Sequence, residues 1–167
     1  MIMKAFRCSR PSKAFRSGEE GSALVELAIS MPLLTLMLLG AVEFAMFAYA
    51  SIEVVNAAHS AAVYASFGQS ALSDSGGISN AATADAANLL GGSAISVTSV
   101  TTACTCSDTT YTPTSCSDNS TCVNNNTSMI TAVTVQTQST FSPLIKIPGG
   151  ALNFTLRGTS TQVVSNQ

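Results

Sequence analysis

The sequence predicts an α+β protein: a long N-terminal transmembrane helix that extends outside the bilayer, a short second helix, and a small antiparallel sheet. Two observations lead to this prediction: an apolar run over residues 21–50, and a change to Thr, Ser and Val from Ser93 onward. Four clustered cysteines in the second region add a Cys-rich loop to the predicted sheet. The 167 residues leave room for one modest domain outside the helix.

Charge is distributed unevenly along the chain. Five of the seven basic residues precede Gly21, whereas the acidic remainder carries only Lys146 and Arg157. A basic leader beside an apolar run follows the positive-inside pattern, so residues 1–21 are predicted to be cytoplasmic and the C-terminal part to be exported. The exported part lacks a basic patch, which argues against nucleic-acid binding because phosphate contacts need Lys or Arg.

The apolar run is long enough to cross a membrane as one helix. Residues 27–50 contain one charge, Glu43, and as a helix would span about 36 Å, against a hydrocarbon core of about 30 Å. Pro32 within the run is tolerated better in lipid than in a soluble core helix. Helical spacing of apolar and small residues continues further, so one transmembrane and stalk helix over residues 22–67 is predicted. Small residues on its outer half would let helices or a sheet approach closely: Ala57, Ala58, Ala61, Ala62 and Ala65.

The remaining residues, 68–167, are predicted to form the exported α+β domain. Residues 68–79 are rich in turn-forming residues and are expected to end the long helix. An Ala-rich second helix is predicted over residues 80–90, with Ser79 as its N-cap and two glycines after it.

Three segments alternate apolar and polar residues as half-buried strands do. They lie at residues 95–97, 129–138 and 152–156. A polar loop over residues 103–126 separates the first two and has too few apolar residues for a core of its own, so crosslinks are expected to hold it.

Those crosslinks would come from Cys104, Cys106, Cys116 and Cys122, which predict two disulfides in an exported domain. A ring between Cys104 and Cys106 would be too tight. Two pairings remain: 104–116 with 106–122, or 104–122 with 106–116. Zinc binding is the competing interpretation, but the spacing lacks the usual Cys-x2-4-Cys unit, so no metal or cofactor is predicted.

The junction between leader and helix contains the most specific motif, Gly21-Ser22-Ala23-Leu24-Val25-Glu26. A glycine that closes a basic leader, with a glutamate five residues later at the head of an apolar run, resembles the site cut by prepilin peptidases. Cleavage after Gly21 would give a new N-terminus at Ser22. A carboxylate within a membrane segment is costly and normally has a partner, and the free amine of Ser22 on a neighbouring subunit would serve as one.

Further positions extend this resemblance along the helix: Glu26-Leu27, Pro32-Leu33-Leu34, Gly40, Glu43-Phe44, Asn56-Ala57-Ala58 and Ala61-Ala62. Together they resemble the TadE-like family, pilin-like proteins of the tight-adherence (Tad/Flp) pilus machinery. The resemblance implies a pseudopilin or minor pilin of the bacterial inner membrane with a periplasmic or extracellular domain. Its implied partners are a prepilin peptidase, other pilins, an inner-membrane assembly platform and membrane lipid.

Two alternatives to cleavage after Gly21 concern the same helix, and Glu43 within that helix also has two interpretations. Ala48-Tyr49-Ala50 could be a secretory cleavage site that releases a domain starting at Ser51, although the run before it exceeds the usual 7–15-residue apolar region. The second is an uncleaved single-pass anchor that presents an adhesive or ligand-binding domain. Glu43 is interpreted as an interfacial carboxylate at the outer membrane edge, with a contact to an adjacent pilin or the platform as the alternative.

An enzymatic role has no support in the sequence. It contains no nucleophile elbow, phosphate loop or plausible catalytic triad, so no catalytic residue is assigned. His59, the single histidine, is interpreted as a packed or interface residue rather than a ligand.

Overall fold

A computed structural model describes residues 20–108, 115–117, 119–146 and 153–164. The predicted leader lies almost entirely outside these ranges, as do residues 147–152 and the last three residues. The chain divides into two compact units, residues 1–40 and 41–167.

Helix α1 runs without interruption from Glu20 to Ala65 and confirms the long helix predicted over residues 22–67. Pro32 lies inside it, as expected for a segment whose neighbouring groups tolerate the missing N–H. Its first unit, up to Gly40, exposes large apolar side chains on every side, from 47% for Leu39 to 72% for Ile29. Such a helix has no polar face to turn toward water, which is typical of a segment in lipid.

Two short helices follow where turns were predicted. Helix α2 covers Gln69–Ser73 and helix α3 covers Ser75–Asp85, so the second helix begins five residues before the predicted start. The N-cap is Asp74 rather than Ser79, because the Asp74 carboxylate accepts a hydrogen bond from the Gly77 N–H at 2.9 Å. The two glycines in the first turn of α3 had led to the prediction of a turn. The Asp74 side chain instead stabilises the start of a helix, because it accepts a hydrogen bond from one of the N–H groups that have no partner within the helix.

The sheet has three antiparallel strands in the order β1-β2-β3, which confirms the predicted architecture. The strands are β1 over Ser96–Cys106, β2 over Met129–Phe141 and β3 over Phe154–Val163. Each is longer than the segment predicted for it. In the centre of the sheet, Val135 on β2 pairs with Val100 on β1 and Ser160 on β3.

The core lies between the second half of α1, helix α3 and one face of the sheet. Alternate residues of β2 are buried on this face: Thr131, Val133, Val135, Thr137, Ser139 and Phe141. The alanine face of α1 is fully buried in the same core, with Ile78 and Ala82 of α3. The small residues therefore permit close approach of the chain's own sheet, and this face is not available to a helix of another chain.

Candidate membrane and assembly site

The first half of α1 has the length and composition of a membrane span. An 18-residue window within Gly21–Ala65 has a mean hydropathy of 2.0, and none of it is buried inside the protein. A helix of about 20 apolar residues covers a bilayer core of about 30 Å. The chain thus carries one N-terminal helix that can cross a membrane, as a single-pass membrane protein requires.

The residues predicted as the processing site lie in the first two turns of α1. The Gly21–Ser22 bond lies at the start of the described part of α1, directly after Glu20. Both residues are exposed.

Glu26 is exposed on the helix surface, one turn after Ser22. Its backbone carbonyl accepts a hydrogen bond from the Ser30 hydroxyl at 2.7 Å, and the Thr35 hydroxyl bonds the Met31 carbonyl at 2.8 Å. These two bonds satisfy hydroxyl groups that would otherwise be costly in lipid. Within the described ranges no basic side chain forms an ion pair with the Glu26 carboxylate.

Unlike Glu26 and Glu43, Gly40 and Pro32 have no polar side chain that could form an ion pair or a hydrogen bond. A Cβ atom at Gly40 would meet nothing within 4 Å, so no contact within the protein requires a glycine there. Pro32 is equally part of the exposed half of the helix and leaves α1 continuous. Neither residue is brought into a site by the structure.

Glu43 makes a long-range contact that the sequence did not predict. One carboxylate oxygen, Oε1, accepts a hydrogen bond from the backbone N–H of Ile145 at 2.8 Å, across 102 residues of sequence. The other oxygen, Oε2, is buried and has no hydrogen-bond partner among the described residues. The interaction attaches the segment that follows β2 to the helix.

Aromatic side chains pack beside this contact. The ring of Phe47 lies edge-on to Phe141, with centroids 5.5 Å apart, and to Phe154, with centroids 6.0 Å apart. Such edge-to-face pairs add about 0.5–1.5 kcal/mol each beyond burial. An open, almost entirely apolar cavity of about 350 Å³ is lined by Glu43, Phe44, Phe47, Phe141, Pro143 and Phe154. Two of these residues, Phe44 and Phe47, belong to the apolar run that the sequence analysis assigned to the membrane helix.

The four exported cysteines form two disulfides, Cys104–Cys116 and Cys106–Cys122, each with a Cα–Cα distance of 5.4 Å. This selects the first of the two pairings left open by the sequence. Cys104 and Cys106 lie in β1 rather than in the predicted loop, and their spacing of two places both side chains on one face of the sheet. Helix α4, over Ser120–Asn124, brings Cys122 beneath that face, where it is fully buried. The thiols that zinc would need are therefore bonded to each other.

His59 lies at an exposed boundary between α1 and β3. Its Nδ1 atom is 3.4 Å from the Ser160 hydroxyl and 3.3 Å from the Gln162 side-chain nitrogen. These contacts agree with the predicted packing or interface role.

An apolar helix able to cross a membrane, followed by a small disulfide-bonded α+β domain, is consistent with a single-pass membrane protein. Residues 21–63 match the family model described as TadE-like protein, which confirms the resemblance inferred from the sequence. The chain thus carries a TadE-like segment, which covers about a quarter of its length and is associated with Tad pilus proteins. Comparisons with curated proteins and with solved structures returned no match.

Proposed function

We propose that the protein is a minor pilin or pseudopilin of a Tad/Flp-type pilus assembly system. It would be processed after Gly21 by a prepilin peptidase and would aid pilus biogenesis and surface attachment without catalysis. The observation that carries the proposal is the TadE-like match, because it starts at Gly21 and contains Glu26 within the apolar helix. Its partners would be the peptidase, other pilins, the inner-membrane platform and lipid.

Glu26 would be the principal assembly residue. A carboxylate at the centre of a membrane helix costs about 2.5–3.5 kcal/mol, and less toward the edge, so a partner that neutralises it is strongly favoured. Cleavage after Gly21 would create a free amine at Ser22, and the amine of a neighbouring subunit would pair with the exposed Glu26 carboxylate. Such a pair would set the axial register between adjacent helices.

The exposed surface restricts how neighbouring helices would pack. The alanine face of α1 is covered by the chain's own sheet, whereas the large side chains before Phe44 are exposed. Helix–helix contacts in the assembly would therefore use this first half of α1, within the inner membrane. The basic leader would place the N-terminus in the cytoplasm and the sheet domain in the periplasm or outside.

Mass spectrometry of the mature N-terminus is the most direct test. A start at Ser22 would support processing by a prepilin peptidase. A start at Met1 would instead support the uncleaved anchor, and a start at Ser51 the secreted form, and either result would refute the proposed processing.

A second test addresses assembly itself. Glu26→Ala should leave membrane insertion intact but reduce piliation about tenfold, as expected for the loss of roughly 1.4 kcal/mol at each subunit contact. Glu53→Gln, on the same helix beyond the span, should leave piliation unchanged. Normal piliation in Glu26→Ala would contradict the role given to Glu26.

One observation favours the alternative of a ligand-presenting anchor. A polar cavity of about 400 Å³ on the sheet is lined by Thr98, Ser99, Gln136, Thr137, Gln138, Arg157, Gly158 and Thr159. Hydroxyl, amide and guanidinium groups suit a polar ligand with an anionic group. Binding of such a ligand together with an N-terminus at Met1 would make this alternative the better account.

A further inference from the structure

An apolar rim surrounds the contact between Glu43 and Ile145. We define this rim by four residues whose side chains are 46–73% exposed: Phe44, Leu144, Ile145 and Phe154. Phe44 belongs to α1, Phe154 begins β3, and Leu144 and Ile145 lie in the segment that follows β2. Exposed apolar clusters of this kind mark contact with a partner or a membrane rather than with water.

We propose that the apolar rim inserts into the bilayer surface, so that the sheet domain rests on lipid instead of standing clear of it. The first argument is position along α1. From Leu24, the first large apolar residue, the helix rises about 30 Å to Phe44, which is the thickness of a bilayer core. Phe44 would therefore lie at the boundary between the acyl chains and the headgroups. The proposal rests on the membrane anchoring by α1 that is part of the proposed function.

The second argument concerns the backbone of the segment 142–146, because lipid tolerates irregular backbone poorly unless its polar groups are bonded within the protein. The Ser142 N–H donates to the Gly91 carbonyl at 2.8 Å, and the Ile145 N–H donates to Glu43 Oε1 at 2.8 Å. Pro143 has no N–H to satisfy. Two of the segment's four backbone N–H groups thus have acceptors within the protein, which lowers the cost of placing the segment in a medium without water.

The third argument is the order of apolar and charged side chains along the segment 142–146. Two exposed apolar side chains, Leu144 and Ile145, are followed directly by the exposed Lys146. A lysine at this depth can extend its ammonium group to lipid phosphates while its methylene groups stay among the acyl chains.

Single tryptophans can test the proposal in the full chain, because the sequence contains none. Leu144→Trp, Leu34→Trp and Val123→Trp each replace an exposed apolar residue: in the rim, in the span, and on α4, away from the rim. Each variant would be placed in nanodiscs that hold one chain and contain lipids brominated on their acyl chains, and tryptophan quenching would be measured. We expect Leu144→Trp to be quenched at least about twofold more than Val123→Trp, since an interfacial side chain lies within about 5–10 Å of the acyl boundary.

The outcomes separate this inference from the proposed function. If Leu34→Trp is quenched but Leu144→Trp behaves like Val123→Trp, the rim does not enter lipid and the inference is overturned while the anchor stands. If Leu34→Trp is not quenched either, the anchoring and the inference both fail.

A second readout tests the role of Glu43 in positioning the rim. Adding Glu43→Ala to Leu144→Trp removes the acceptor for the Ile145 N–H and should weaken quenching. Adding Glu43→Gln keeps an acceptor oxygen and should preserve it. Equal quenching in both double variants would refute the positioning role.

Discussion

Gly158 lies where β3 passes beneath α1, and replacing it with alanine tests how closely the helix and the sheet approach. A Cβ atom there would overlap the backbone carbonyl oxygen of Val54 and would come within 2.8 Å of Thr137 Oγ1. The register places Thr137 directly opposite Gly158. The Thr137 hydroxyl donates to the same Val54 carbonyl at 2.8 Å, so the three residues share one narrow space.

The expected cost follows from these contacts. Ordinary van der Waals separation would require the helix and strand to move apart by roughly 1 Å, a form of overpacking that costs about 1–3 kcal/mol. The same movement would break the hydrogen bond from Thr137, worth about 1 kcal/mol. Alanine also restricts the unfolded chain, which offsets about 0.4–1 kcal/mol. We expect a net loss near 2 kcal/mol, or about a 30-fold increase in the opening equilibrium.

Hydrogen exchange of the β2 amides, measured by mass spectrometry on the full chain in nanodiscs, reports this free energy. Gly76→Ala is the matched control, because its Cβ would lie 3.5 Å from Asp74 Oδ1 in ordinary contact. The control should be neutral or slightly stabilising. Thr137→Val should cost about 1 kcal/mol alone and much less in the Gly158→Ala background, because the bond is already broken there. Unchanged exchange in Gly158→Ala, or equal losses in both glycine variants, would refute the reasoning.

Two further predictions concern α3 and the disulfides. The hydrogen bond from the Gly77 N–H, and to a lesser extent the one from the Tyr64 hydroxyl, lower the pKa of Asp74. The ionised Asp74 carboxylate should therefore stabilise α3 fully above about pH 4, and this stabilisation should be lost as the pH falls through the lowered pKa. Asp74→Asn keeps the cap but cannot titrate, and the protection of the Gly77 amide, corrected for intrinsic exchange, should then lose this pH dependence. Replacing both Cys106 and Cys122 with serine opens a crosslink across 16 residues and should destabilise the end of β1 by about 3 kcal/mol, seen as faster exchange of its amides; unchanged exchange would contradict this estimate.

The elements that the sequence predicted well are those with a local signal. Helix α1 follows from one uninterrupted apolar and small-residue pattern, and the predicted and observed ends differ by two residues at each end. In β2, the alternation of Val133 and Val135 with polar neighbours identifies a strand with one buried face. Glu26 could also be recognised from the sequence, because a carboxylate within an apolar run stands out without any knowledge of tertiary contacts.

The features that the sequence did not reveal depend on contacts between distant residues. Helix α3 begins at Ser75 despite two glycines because Asp74 caps it and also accepts a hydrogen bond from Tyr64 of α1 at 2.8 Å. Strand β1 continues through Cys106 because it pairs with Met129 of β2. No local pattern could show these pairings, and the contact between Glu43 and Ile145 is hidden for the same reason.

The side chains of helix α1 differ in size before and after Glu43: large apolar residues are exposed in the first half, and alanines are buried against the sheet in the second. Lipid and neighbouring membrane helices can accept large side chains on every side, whereas a sheet packed on the helix leaves space only for small ones. The buried face therefore consists mainly of alanine, and Ile52 and Val55 remain exposed, at 58% and 46%. In the proposed assembly, subunit contacts along α1 beyond Glu43 would fall largely on the ridge around these two residues, and the register would be set chiefly by the apolar half that contains Glu26.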